Sequence, residues 1–88
     1  MIREAVLDKA LKIVTGARQS TYGNPEDCFK VIAELWSAYL GTQVSSTDVA
    51  MLMILLKIAR SKGKTGYADN YVDIAGYAAC AGELADAH

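Results

Sequence analysis

Apolar residues recur along the chain at the i, i+3, i+4 spacing that lays them on one face of a helix. The first such stretch, Ile2, Val6, Leu7, Ala10, Leu11, Ile13, Val14 and Ala17, predicts a helix from Ile2 to about Arg18. Polar and turn-forming residues then accumulate in Gln19-Ser20-Thr21-Tyr22-Gly23-Asn24. Asn24-Pro25-Glu26-Asp27 supplies a capping side chain, a proline at the first helical position and acids for the positive end of the helix dipole. A second helix therefore starts at Pro25, carries Phe29, Ile32, Ala33, Trp36, Tyr39 and Leu40 on one broad face, and stops at Gly41.

After a short loop, Ser45 and Asp48 stand at the spacing of a capping box, predicting a third helix from Ser46 to about Lys62. Its segment Val49 to Leu56 is apolar all round, the pattern of the central helix of a bundle. Gly63-Lys64-Thr65-Gly66 reads as a turn. It lacks the spacing of a phosphate loop. A fourth helix is expected from about Asp69, acting as its cap, to about Ala85. Its small residues, Ala75, Gly76, Ala78, Ala79, Ala81, Gly82 and Ala85, would let another helix come close. Each mid-helix glycine costs roughly 1 kcal/mol against alanine, so a packing reason is expected.

Four helices with short connections predict one all-α domain over residues 1–88. So short a chain has a thin core. Its hydrophobic content of 52% exceeds the roughly 45–50% of ordinary domains, so the bundle is expected to be completed by oligomerisation, as a homodimer or homotetramer. A formal net charge of -1 gives no field for general nucleic-acid binding. The longest apolar run has eight residues, Val49 to Leu56, against the roughly 20 a membrane span needs. The N-terminus, with a charge pair and then amphipathic sequence, does not read as a signal peptide, so a cytoplasmic location is expected. Cys28 and Cys80 lie outside any metal-binding spacing and are expected to be reduced core residues.

The third and fourth helices are joined by so few residues that they should be antiparallel neighbours. Lys57 and Arg60 share one face and Asp69 and Asp73 share another, which places Arg60 near Asp69 or Asn70 and Lys57 near Asp73. Two readings stand. The four charges close the hairpin as salt bridges, or a guanidinium and an ammonium together receive a phosphate. The loop from Arg18 to Asn24, with Tyr22 as an aromatic platform, is either a second ligand-binding element or an ordinary turn. Trp36 and Tyr39 read as core or interface rather than base-stacking residues. Glu34 and Asp73 form the one inward carboxylate pair that a magnesium ion would need, unless Glu34 is solvated. His88, the sole histidine, is terminal and has no partner in sequence, so nothing resembles a Ser-His-Asp arrangement.

The segments Tyr22 to Asp27, Ile32 to Gly41, Leu56 to Arg60 and Asp69 to Tyr77 resemble motifs of a family of small phage and prophage helical proteins of unassigned function. The last of them is also similar to a helix of the MazG-like all-α nucleoside triphosphate pyrophosphohydrolases, whose ExxD acids hold magnesium. That similarity implies a MazG-like four-helix bundle, a nucleotide ligand, and Asp73, Glu34 and Asp69 as metal-binding residues, with Asp73 and Glu34 catalytic. Lys57, Arg60 and Arg18 would serve phosphates, and Asn70, Tyr22 and Tyr71 the rest of a nucleotide. Asn70 stands where that pattern has an acid, and the second pair, ExxE, is replaced: Phe29 lies three residues after Glu26, and Lys30 three after Asp27. Fewer carboxylates leave less charge to hold a metal. Three functions follow: a magnesium-dependent pyrophosphohydrolase, a module that binds or sequesters a nucleotide without turnover, or a helical protein-interaction module.

Overall fold

A computed structural model describes residues 1–17, 20 and 23–86 of the chain. Four helices account for most of them, and no strand occurs among the described residues. Helix α1 spans Arg3–Lys12 and continues into a π-helical turn at Ile13–Ala17; α2 spans Pro25–Leu40, α3 Ser46–Ser61 and α4 Ala68–Asp86.

The helix ends follow from local chemistry. The Asn24 side chain accepts from the Asp27 N–H at 3.1 Å with Pro25 at the first position, and Gly41 closes α2 in the left-handed conformation (φ 70°). The Val44 N–H donates to Ser37 Oγ at 2.8 Å, and that hydroxyl donates to the Val44 carbonyl, folding the short loop onto α2. Ser45 and Asp48 then form both bonds of the capping box, each at 3.0 Å. Helix α4 starts one residue earlier than the sequence predicts. Asp69 consequently sits inside its first turn rather than at its cap.

The main departure from the sequence pattern concerns the centre of the bundle. Helix α4, not α3, is its spine: it packs most extensively on α3 and also on α1, and buries Asn70, Val72, Gly76, Cys80, Ala81 and Leu84. Of the apolar run in α3, Val49 and Ala50 are buried, whereas Met51, Leu52, Leu55 and Leu56 stay exposed. Tyr39, read as core or interface, and Leu40 on the same broad face of α2 are also exposed, Tyr39 by 90%. The core joins Phe29 and Ala33 of α2, Val49 and Ala50 of α3, and Cys80, Ala81 and Leu84 of α4, with Trp36 partly buried against it. Neither Cys28 nor Cys80 forms a disulfide. Of the small residues of α4, Gly76 and Ala81 are buried within the chain whereas Ala78, Ala79, Gly82 and Ala85 are exposed, and a Cβ added at Gly76 would lie 3.1 Å from Val14 Cγ1 on the π-helical turn. That close approach is the packing reason for one of the two mid-helix glycines.

The radius of gyration is 13.5 Å, against about 12 Å for a compact domain of this length. The solvent-accessible surface is 6001 Å², whereas a monomer of this mass normally exposes about 5,000 Å². The core is thin for the amount of apolar side chain the sequence carries.

Candidate functional site

The turn between α3 and α4 opens into a polar cleft lined by Lys57, Arg60, Gly63, Lys64, Tyr67, Asp69, Asn70 and Asp73. The antiparallel hairpin brings Lys57 Nζ to 2.8 Å from Asp73 Oδ2, as its register predicts, with the two side chains 16% and 32% exposed. Half-burial makes this pair stiffer than a solvated surface bridge, whose two long side chains fluctuate in water. Asp73 also borders a small apolar cavity among Ala10, Val14, Phe29, Val72 and Gly76, so it stands at the seam between the core and the cleft.

Asp69 is engaged differently from the expectation. Its carboxylate meets Lys9 Nζ of α1 at 3.2 Å rather than Arg60. The hydrogen bond from Lys9, and next one from Tyr67, lower the Asp69 pKa below the usual 3.8. Hydrogen bonding to Asp69 and its negative charge in turn raise Tyr67 above 10.0. Lys64 Nζ lies over the Tyr67 ring, 5.4 Å from its centroid. Both acids of the cleft thus have a lysine partner, Lys57 or Lys9. Arg60 and Lys64 have no carboxylate within ion-pair distance among the described residues.

Asn70 is the most informative member of the cleft. It is 5% exposed, the one buried polar residue among those described, and it lines the cleft together with Arg60 and Lys64. Its amide is able to donate and to accept, and it shares the cleft with the cations of Arg60 and Lys64.

The other expected site residues fall elsewhere. Tyr71 does not line the cleft; its hydroxyl donates to the Thr65 carbonyl at 2.6 Å and ties down the turn. Glu34 is exposed on α2 and borders neither cavity that Asp73 lines. Among the described residues no three His, Cys, Asp or Glu side chains stand together as a metal site. With Asp73 bound to Lys57, Asp69 to Lys9 and Glu34 apart, the acids of this chain do not fit the magnesium site that the MazG-like resemblance implies. Tyr22, Arg18 and His88 lie outside the described residues.

Two cleft members escaped the sequence pattern. Lys64 and Tyr67 belong to a segment that reads only as a turn, and their signal was their position within one helical turn of Arg60 and Asn70. The Lys9–Asp69 contact crosses from the first helix to the last, and helical periodicity carries no information about such a pairing.

The chain spans about half the length of the curated relatives it matches. It is 48% identical over 77 residues to the Gene 55 protein of Mycobacterium phage D29, covering 88% of this chain and 51% of that protein. It is 44% identical over 75 residues to the Gene 55 protein of Mycobacterium phage L5, covering 84% of this chain and 48% of the relative. No solved structure matches it. A family model described as a domain of unknown function, DUF6378, matches residues 5–85. With nearly the whole chain matched, cleft included, the protein belongs to the DUF6378 family.

Proposed function

We propose that the α3–α4 cleft binds the phosphates of a nucleotide and holds it without hydrolysing it. The observation that carries this reading is that Arg60 and Lys64, with no carboxylate in ion-pair distance among the described residues, line one cleft with the buried Asn70. A planar guanidinium and a neighbouring ammonium suit the bidentate and point-charge recognition of a phosphate. The Asn70 amide would donate to a phosphate or ribose oxygen. The Lys57–Asp73 pair holds the two helices in register behind the ligand. Tyr67 offers an aromatic plane beside Lys64 at the cleft.

Holding is favoured over turnover by the state of the acids. A MazG-like hydrolase holds magnesium on several carboxylates to direct water at the phosphate. Here each cleft carboxylate neutralises a lysine, and Glu34 is remote from them. The protein would act as a cytoplasmic nucleotide-binding or nucleotide-sequestering module in a phage-infected cell. No described helix is long and apolar enough to cross a membrane, which leaves that setting open to it.

A panel of nucleoside mono-, di- and triphosphates and cyclic nucleotides, screened by thermal shift, tests the proposal. A ligand at ten times its Kd stabilises the fold by about 1.4 kcal/mol, and each kcal/mol raises the melting temperature of a domain this size by about 4–8 °C. At least one nucleotide should therefore raise it by about 6–11 °C, with no pyrophosphate released in magnesium. An unshifted melting temperature across the panel rejects binding. Pyrophosphate release would show that the acids do assemble a catalytic site and would restore the hydrolase reading.

A further inference from the structure

We propose that the exposed face of α3 is the docking surface for a second copy of this chain, packed antiparallel about a two-fold axis beside Leu55. At 3.6 residues per turn, Asp48, Met51, Leu52, Leu55 and Ala59 of α3 and Lys62 at its C-cap share one stripe, and all six are exposed. Ile58 and Leu56 widen the stripe on its two sides and are exposed as well. None of these apolar side chains is needed to fill the core of a single chain.

The charge pattern of the stripe selects the occupant. Asp48 and Lys62 each lie seven residues from Leu55, one at either end of the apolar segment. Antiparallel packing about Leu55 sets Asp48 against the partner's Lys62, Lys62 against the partner's Asp48, and the long Met51 against the small partner's Ala59. A parallel pair would instead set like charges together at both ends. The capping box uses Asp48 Oδ2, which leaves the other carboxylate oxygen to the partner. A face complementary to itself in this way makes a closed two-fold interface.

The area agrees. The chain exposes about 1,000 Å² more than a monomer of its mass normally does, and a standard interface buries about 800 Å² from each partner. The exposed stripes of α1 and α2 are shorter, Leu7 with Leu11 and Val31 with Leu35 and Tyr39, and the α2 stripe carries no acid and base seven residues either side of its central Leu35. The competing occupant is a further chain segment, since the phage relatives are about twice as long as the region they share with this chain.

Sedimentation velocity at micromolar concentration should give twice the 9.4 kDa of one chain. A monomer overturns the proposal and favours the competing segment. Leu55→Cys, at the axis, should oxidise to a covalent dimer, while Leu35→Cys on α2 should not; the reverse pattern overturns the choice of face. Leu55→Asp should leave a helical monomer, because that side chain is 58% exposed already. Lys62→Glu should raise the dimer dissociation constant about tenfold by facing an acid with an acid, and an unchanged constant overturns the antiparallel register.

Discussion

Removing the charge of Asp73 probes the join between fold and site. Its carboxylate lies 2.8 Å from Lys57 Nζ. At an effective dielectric constant of 20 the gross attraction at that distance is about 6 kcal/mol, but desolvation of both groups and the ordering of the lysine offset most of it. Fully exposed pairs contribute about 0.2–1 kcal/mol, and breaking a fully buried one costs about 3–5 kcal/mol. With side chains 16% and 32% exposed, the pair falls between these limits. Asp73→Asn should cost about 1–2 kcal/mol, lowering the melting temperature by about 4–16 °C. Lys57→Met keeps the apolar stem and should cost less, because the stranded Asp73 is the more exposed of the two. Urea denaturation of the wild type, both single variants and the double variant, followed by circular dichroism at one protein concentration, yields the coupling energy directly. The expected coupling is about 1 kcal/mol or more, weakly dependent on salt because the pair is sheltered. A coupling below about 0.3 kcal/mol would refute the idea that this bridge fixes the hairpin register.

Helix α4 offers two identical substitutions with unequal outcomes. Gly82→Ala meets open space and should stabilise by up to about 1 kcal/mol through helix propensity. Gly76→Ala presses on Val14 at 3.1 Å and should lose most or all of that gain; equal stabilisation by the two would contradict the close approach of the π-helical turn. In the cleft, Lys9→Met should return the Asp69 pKa toward 3.8, observed by NMR titration, because the lysine hydrogen bond is the largest cause of its lowering. A depressed carboxyl pKa stabilises the fold above the unfolded value and ceases to do so as pH falls through the folded one. The stability difference between wild type and Lys9→Met should thus be present at neutral pH and vanish in acid. Tyr67 is raised by the same Asp69, so Asp69→Asn should lower its titration midpoint toward 10.0, read from tyrosinate absorbance. An unmoved midpoint would break the Tyr67–Asp69 link.

The helix boundaries were legible because they rest on local chemistry. Asn24 and Pro25, the Ser45 and Asp48 box and the left-handed Gly41 each declare themselves within four residues. The Lys57–Asp73 contact was legible for a related reason: a short connection leaves an antiparallel hairpin few registers. The identity of the central helix was not. A run such as Val49 to Leu56 is apolar on every side whether it is buried by its own chain or by another, and periodicity does not distinguish them. Small residues such as Gly76 and Ala81 contribute little to an apolar pattern, yet they make α4 the spine by allowing close packing. The partner of Asp69 was hidden because Lys9 is sixty residues away in sequence. Asn70 could be read as a substituted acid, but its burial beside Arg60 and Lys64 is visible only in the fold.

Isothermal titration calorimetry with the nucleotide that gives the largest thermal shift tests the central claim most directly, comparing wild type with Asn70→Ala and Arg60→Ala. Loss of a hydrogen bond to a charged group costs about 1.5–3 kcal/mol. Each variant should therefore bind at least tenfold more weakly while remaining folded. Nucleotide affinity unchanged in both would place the ligand outside the α3–α4 cleft and contradict the account.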